Sequence, residues 1–111
     1  SATSEEMRDL VAKLPASLGI NWDQQNSLSL ERDVFPGGYH KLPKNRIENV
    51  QIKAEGLFGA KKLDWAAIIQ ALLADGYKGL FALETHHGQG EQNYRMSVQA
   101  MNELARIAAS L

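Results

Sequence analysis

Three short apolar segments, each followed by a polar residue that can bind a cation, constrain this chain more than any other feature. They are residues 18–22 before Asp23, residues 47–50 before Gln51, and residues 80–83 before Glu84. The polar residues lie 28 and 33 positions apart, close to the ~30 residues of one strand with its returning helix. Parallel strands joined by right-handed helical connections end at the same edge of a sheet. The spacing therefore predicts that these three side chains face one site, at the edge where α/β sheets and barrels bind their ligands.

The segments around these strands have helical patterns. Thr3 and Glu6 form a capping-box pattern ahead of the first helix, and Asp64 and Gly76 are placed to begin and end a later one. The last helix is predicted from about residue 93 to 110, and its apolar face is expected to be buried. That face consists of Tyr94, Val98, Met101, Ala105 and Ala108. Trp22 and Trp65 are expected in the core, and the order of elements predicts an α/β domain with a parallel sheet.

Length, charge and composition exclude several classes of protein. The 111 residues form one domain and fall short of the ~250 of a complete (β/α)8 barrel. A net charge of -1 without a basic segment argues against nucleic-acid binding. The chain has no cysteine, which excludes disulfides and thiolate metal sites. No apolar segment reaches the ~18 residues of a membrane span. A cytoplasmic location is expected, although the start, SATS without an initiator methionine, leaves open a targeting signal that has been removed.

Four segments resemble, in order and spacing, the C-terminal half of the xylose isomerase-like TIM barrels. They are residues 19–26 (GINWDQQN), 46–53 (RIENVQIK), 63–65 with 76–79 (LDW and GYKG), and 83–84 (LE). This group contains sugar-phosphate isomerases and epimerases, ketose epimerases, inosose dehydratases, hydroxypyruvate isomerases and endonuclease IV. The resemblance covers residues 18–111. It implies a partial (β/α)8 TIM barrel, with three consecutive parallel strands and flanking helices, so that residues 1–111 are a single C-terminal half-barrel piece.

The resemblance also implies a metal site. In this family two Glu, one Asp and one His hold a divalent cation, usually Mn, Mg, Co or Zn. By the resemblance Asp23 and Glu84 are metal ligands, and Gln51 stands where the family has its His. The remaining Glu would lie on a preceding strand that this chain does not contain. Glu84 would also be a catalytic base in a sugar (phosphate) isomerase or epimerase that acts through an enediolate.

Three further residues are expected to contact a small sugar or sugar phosphate. Asn26 matches a substrate-binding position of the family, Lys53 can pair with a phosphate or carboxylate, and His86 lies in the polar loop that follows the third strand. Four of these six site residues also have a structural alternative, whereas Glu84, directly after four apolar residues, is harder to explain by structure alone. Asp23 can cap a turn, Gln51 can be a hydrogen-bonding residue at the edge of the sheet, Lys53 can be a solvated lysine, and His86 can be an exposed loop residue.

Half of the ligands and the opposing base are missing, so the isolated chain is expected to be inactive. A non-catalytic sugar-binding or structural role, with Gln51 marking a degenerate metal site, is the main alternative. An endonuclease IV-like role is weaker, because that branch uses several His-bound zinc ions and binds a phosphate backbone. The sheet of such a piece would have two open edges, which predicts self-association into a dimer or larger oligomer.

Overall fold

The computed structural model describes residues 2–58, 62–84 and 90–111. Three parallel strands lie in the order in which they occur along the chain, and helices alternate with them. The elements are α1 (Ser4–Ala12), β1 (Ile20–Asp23), α2 (Gln24–Leu28), α3 (Tyr39–Lys41), β2 (Ile47–Lys53), α4 (Trp65–Ala74), β3 (Leu80–Glu84) and α5 (Glu91–Ala109). The predicted α/β class with a parallel sheet is confirmed. Within the described residues the sheet is open, with β1 and β3 at its edges, so a closed barrel is not observed.

The predicted helix caps are present. The Thr3 side chain accepts a hydrogen bond from the Glu6 backbone N–H, and Glu6 bonds back to the Thr3 backbone. Asp64 Oδ1 accepts from the Ala67 N–H at 3.1 Å and begins α4. Gly76 follows that helix with φ 85°, a left-handed conformation that residues with a Cβ rarely adopt. These local signals fix the start of α1 and both ends of α4.

The core lies against one face of the sheet. Trp22 of β1 and Val50 of β2 are neighbours in the parallel register, and both are 0% exposed. Trp65, Ile68 and Leu72 form the buried side of α4. The expectation that both tryptophans belong to the core is confirmed.

The long connection between β1 and β2 adds to the core. Tyr39 is buried and its hydroxyl donates to Asp75 Oδ2 at 2.6 Å. The Lys44 ammonium lies 4.4 Å from the centre of the Tyr39 ring and donates to the Leu42 carbonyl at 2.7 Å. Val34 and Leu42 of the same connection also belong to the buried core. The connection is therefore held to the end of α4.

The prediction of which face of α5 is buried is wrong. Tyr94 is 69% exposed, and Val98 and Met101 are also exposed. The helix instead packs on β3, α4 and the turn Ala54–Gly56, and its buried residues are Ala100 and Ile107. The helix has two stripes with apolar residues and only one surface to pack on. The stripe that packs against the core contains Ala100, Leu104 and Ile107, and the stripe with Tyr94, Val98 and Met101 remains outside.

Among the described residues, no helix combines the length and the apolar character that crossing a membrane requires.

Candidate functional site

The second face of the sheet is polar along β1 and β2. Side chains alternate between the two faces of a strand, so the buried Trp22 and Val50 leave Asn21, Asp23 and Gln51 on the opposite face. In the parallel register Asp23 lies beside Gln51, and Lys53 lies beside Glu84. The carboxyl ends of three strands therefore bring polar side chains to one edge, as the spacing in the sequence predicts.

These side chains line a single cavity of about 300 Å³. Five of the six predicted site residues lie there: Asp23, Asn26, Gln51, Lys53 and Glu84. Its other lining residues are Ala2, Met7, Asn21 and Ser27. The sixth predicted residue, His86, lies outside the described residues. Two larger cavities among the described residues lie elsewhere. One is between the start of α4 and the end of α5, and the other is along α5 alone. Neither contains a predicted site residue, and the second is a groove on a single helix.

Lys53 is at the centre of the polar contacts in this cavity. Its Nζ atom lies 2.7 Å from Asn26 Oδ1 and 3.3 Å from Asp23 Oδ2. The exposed fractions of the Lys53 and Asp23 side chains are only 14% and 12%, so water screens this ion pair less than it screens a surface pair. Lys53 is a half-buried ion-pair partner in this site, which differs from the solvated lysine of the structural alternative.

Asp23 also has the structural role that the sequence left open. It is the residue that begins α2, and its Oδ1 atom accepts from the Asn26 backbone N–H at 3.1 Å. The two carboxylate oxygens thus have different partners, the start of a helix and the ammonium group. Asp23 can begin α2 and also line the cavity, because the capping hydrogen bond holds its carboxylate at the edge of the sheet.

Reasoning from the sequence missed Asn21, which lines the cavity, and Asn49, which is hydrogen-bonded to it. The Asn49 side chain donates to Asn21 Oδ1 at 2.8 Å, and the Asn21 side chain donates to Gln51 Oε1 at 3.1 Å. This chain of amides orients the Gln51 side chain. The signal was available, because Asn21 precedes Asp23 by two positions and Asn49 precedes Gln51 by two, which places each pair on one face of a strand.

The described residues do not fit the metal site that the resemblance implies. Among them, no group of three or more His, Cys, Asp and Glu side chains is placed to hold a metal ion. One Asp23 oxygen is paired with an ammonium group and the other caps a helix. The Gln51 oxygen accepts from Asn21. Mn and Mg need several oxygen ligands in a suitable geometry, and in this arrangement the side-chain oxygens of Asp23 and Gln51 already have other partners.

Comparison of the chain with protein-family models, with curated proteins and with solved structures finds no match.

Proposed function

We propose that the cavity at the carboxyl ends of the strands binds a small sugar or sugar phosphate, in a protein similar to sugar (phosphate) isomerases and epimerases. The observation that supports this most strongly is the shared cavity of Asp23, Asn26, Gln51, Lys53 and Glu84. These residues come from three strands and one helix, and a single ligand can contact all of them. The volume of about 300 Å³ is at the lower end of the range for small-molecule sites.

The chemistry of the lining fits a polyhydroxylated ligand. The amides of Asn21, Asn26 and Gln51 each carry a donor and an acceptor, as a sugar hydroxyl does. The Asp23 and Glu84 carboxylates accept hydrogen bonds from hydroxyl groups, and the Lys53 ammonium group suits a phosphate or carbonyl oxygen. Such a mixed set favours a sugar over an apolar ligand.

In the enzymatic form of the proposal, Glu84 removes a proton from the carbon next to the sugar carbonyl. This step leaves an enediolate, whose negative oxygen needs a cation or hydrogen-bond donors nearby. A second base must return the proton, and by the resemblance it would come from a strand that precedes this chain. For this reason we expect the isolated chain to bind without turnover.

A non-catalytic sugar-binding role is the second candidate. The ion pair between Lys53 and Asp23 favours it, because it engages a carboxylate that the metal-dependent reaction would need. The two candidates share one ligand class and differ in whether the complete protein interconverts sugars.

Binding is tested by calorimetric titration with a panel of aldoses, ketoses and their phosphates. The wild type should bind at least one of them, and Asn26→Ala should weaken that binding by about tenfold, the scale of one or two lost hydrogen bonds. Asn102→Ala, at an exposed position of α5, is the matched control and should bind as the wild type does. Equal losses in both variants, or no binding by the wild type to any member of the panel, would refute the proposal.

We also propose that the chain self-associates through the open edges of its sheet. Leu80 of the edge strand β3 is 75% exposed, and Phe81 beside it is 37% exposed. The outward-facing stripe of α5 adds Tyr94, Val98 and Met101. An edge strand with unpaired backbone groups and apolar side chains is a template for pairing with another chain.

A further inference from the structure

We propose that the Lys53 ammonium group takes the place of a divalent cation at Asp23, so that this cavity binds its ligand without a metal ion. The inference concerns the same cavity as the proposed function and depends on that function only for the identity of the ligand. Its basis is the disagreement between the ligand set that the resemblance implies and the contacts that those residues make.

The position of Lys53 supports this assignment. Lys53 is the last residue of the central strand, and the register places it beside Glu84 on one side. On the other side its Nζ atom reaches across to Asp23 Oδ2 and to Asn26 Oδ1, at 3.3 and 2.7 Å. The ammonium group thus contacts one side-chain oxygen from β1 and one from α2. A hard divalent cation likewise requires oxygen ligands around it.

A second cation at Asp23 would be repelled by the first. A divalent ion that shares this carboxylate would lie within a few ångströms of the ammonium group, in a region where solvent screens charges weakly. Binding of the ion would require Lys53 to leave both Asp23 and Asn26. Lys53 therefore supplies one positive charge and hydrogen-bond donors, and its predicted target is a carbonyl or phosphate oxygen of the ligand.

The test is a titration of the whole chain with Mn²⁺, followed by calorimetry and by electron paramagnetic resonance of the free ion. The variants are Lys53→Met, Asp23→Asn and the double variant Lys53→Met/Asp23→Asn. Asn at position 23 can still begin a helix, so α2 should persist. The matched control is Lys13→Met, which removes the same charge from the exposed end of α1.

We expect Lys53→Met to bind Mn²⁺ more tightly than the wild type, by about tenfold or more, because a neighbouring charge is removed and a carboxylate is released. The double variant should lose this gain, and Lys13→Met should show none. Mn²⁺ should also raise the thermal midpoint of Lys53→Met and leave that of the wild type unchanged. Lys53→Gln, which keeps a hydrogen-bond donor without the charge, serves if the methionine variant does not fold.

Two results would overturn the inference. The first is saturable binding of one Mn²⁺ per wild-type chain that Asp23→Asn abolishes, a result that needs no variant at Lys53. The second is folded Lys53→Met and Lys53→Gln proteins without any gain in affinity. Because the readout is metal binding alone, failure to find a sugar ligand leaves this test unaffected.

Discussion

The two faces of β1 and β2 have opposite characters although the same strands build them. On one face Trp22 and Val50 are completely buried under the helices. On the other face, Asp23 and Gln51 at the next positions of the same strands line an open cavity. Because side chains alternate along a strand with a period of two residues, the residues that stabilise the fold and those of the candidate site lie on different sides of the same strands. Variants of adjacent residues can therefore separate the two.

The largest effect is expected on the apolar face. Trp22→Ala should lower the free energy of unfolding by about 3–5 kcal/mol, because it leaves a cavity among buried side chains. Its neighbour Asn21→Ala should lower it by less than about 1 kcal/mol, since that amide faces the open cavity. Urea denaturation followed by circular dichroism measures both. Similar losses in the two variants would show that the two faces do not divide the roles as described.

The next largest effect is expected on the oligomeric state, through the outer edge of the sheet. Light scattering at micromolar concentration should find the wild type as a dimer or larger oligomer, and Leu80→Lys should shift it towards the monomer, because charges at an edge oppose strand pairing. Leu10→Lys, at an exposed position of α1, is the control and should leave the oligomer intact. A monodisperse, monomeric wild type would remove the proposal of self-association.

A smaller effect on the free energy of unfolding is expected from the buried Tyr39. Burial, aided by Asp75, raises the pKa of the Tyr39 hydroxyl well above its ordinary value. In the unfolded chain this group ionises near pH 10, whereas in the folded chain it keeps its proton. The unfolded state therefore gains stability above about pH 10, and the free energy of unfolding should fall as the pH rises through that range.

Tyr39→Phe should reduce this loss of stability, because phenylalanine cannot ionise. It should also cost about 1 kcal/mol at neutral pH through the lost hydrogen bond to Asp75. Denaturation at about pH 8 and about pH 11 gives the comparison, with Tyr94→Phe, an exposed ring, as the control. If both variants lose as much stability as the wild type at high pH, another group causes the dependence.

Much of the fold could be predicted from the sequence because local signals determine it. Three apolar segments gave the strands, and Asp64 and Gly76 marked the ends of α4. The convergence of Asp23 and Glu84 on one cavity followed from the topology of parallel strands. The packing of α5 could not be predicted in this way, because the choice between its two stripes depends on the shape of the surface that receives it.

The contacts of Lys53 could not be predicted from the sequence either. The alternation of apolar and polar residues fixes the face on which each side chain lies. The pairing of Lys53 with Asp23 also depends on how far β2 is displaced along β1, because a displacement of two residues would keep the faces and separate this pair. Asn21 and Asn49 were missed for a different reason. Their spacing places them on the polar face, but each lies two positions before the end of its strand, whereas ligand-binding residues are expected at the strand ends.

The most direct test of the central claim is a nuclear magnetic resonance titration with a ketohexose and with its phosphate ester. The claim predicts that the side-chain amide signals of Asn21, Asn26, Asn49 and Gln51 shift together on binding. The indole signals of Trp22 and Trp65, buried in the core, should stay in place. Shifts in the indole signals with unchanged amides, or no shift in any of them at saturating ligand, would contradict the account.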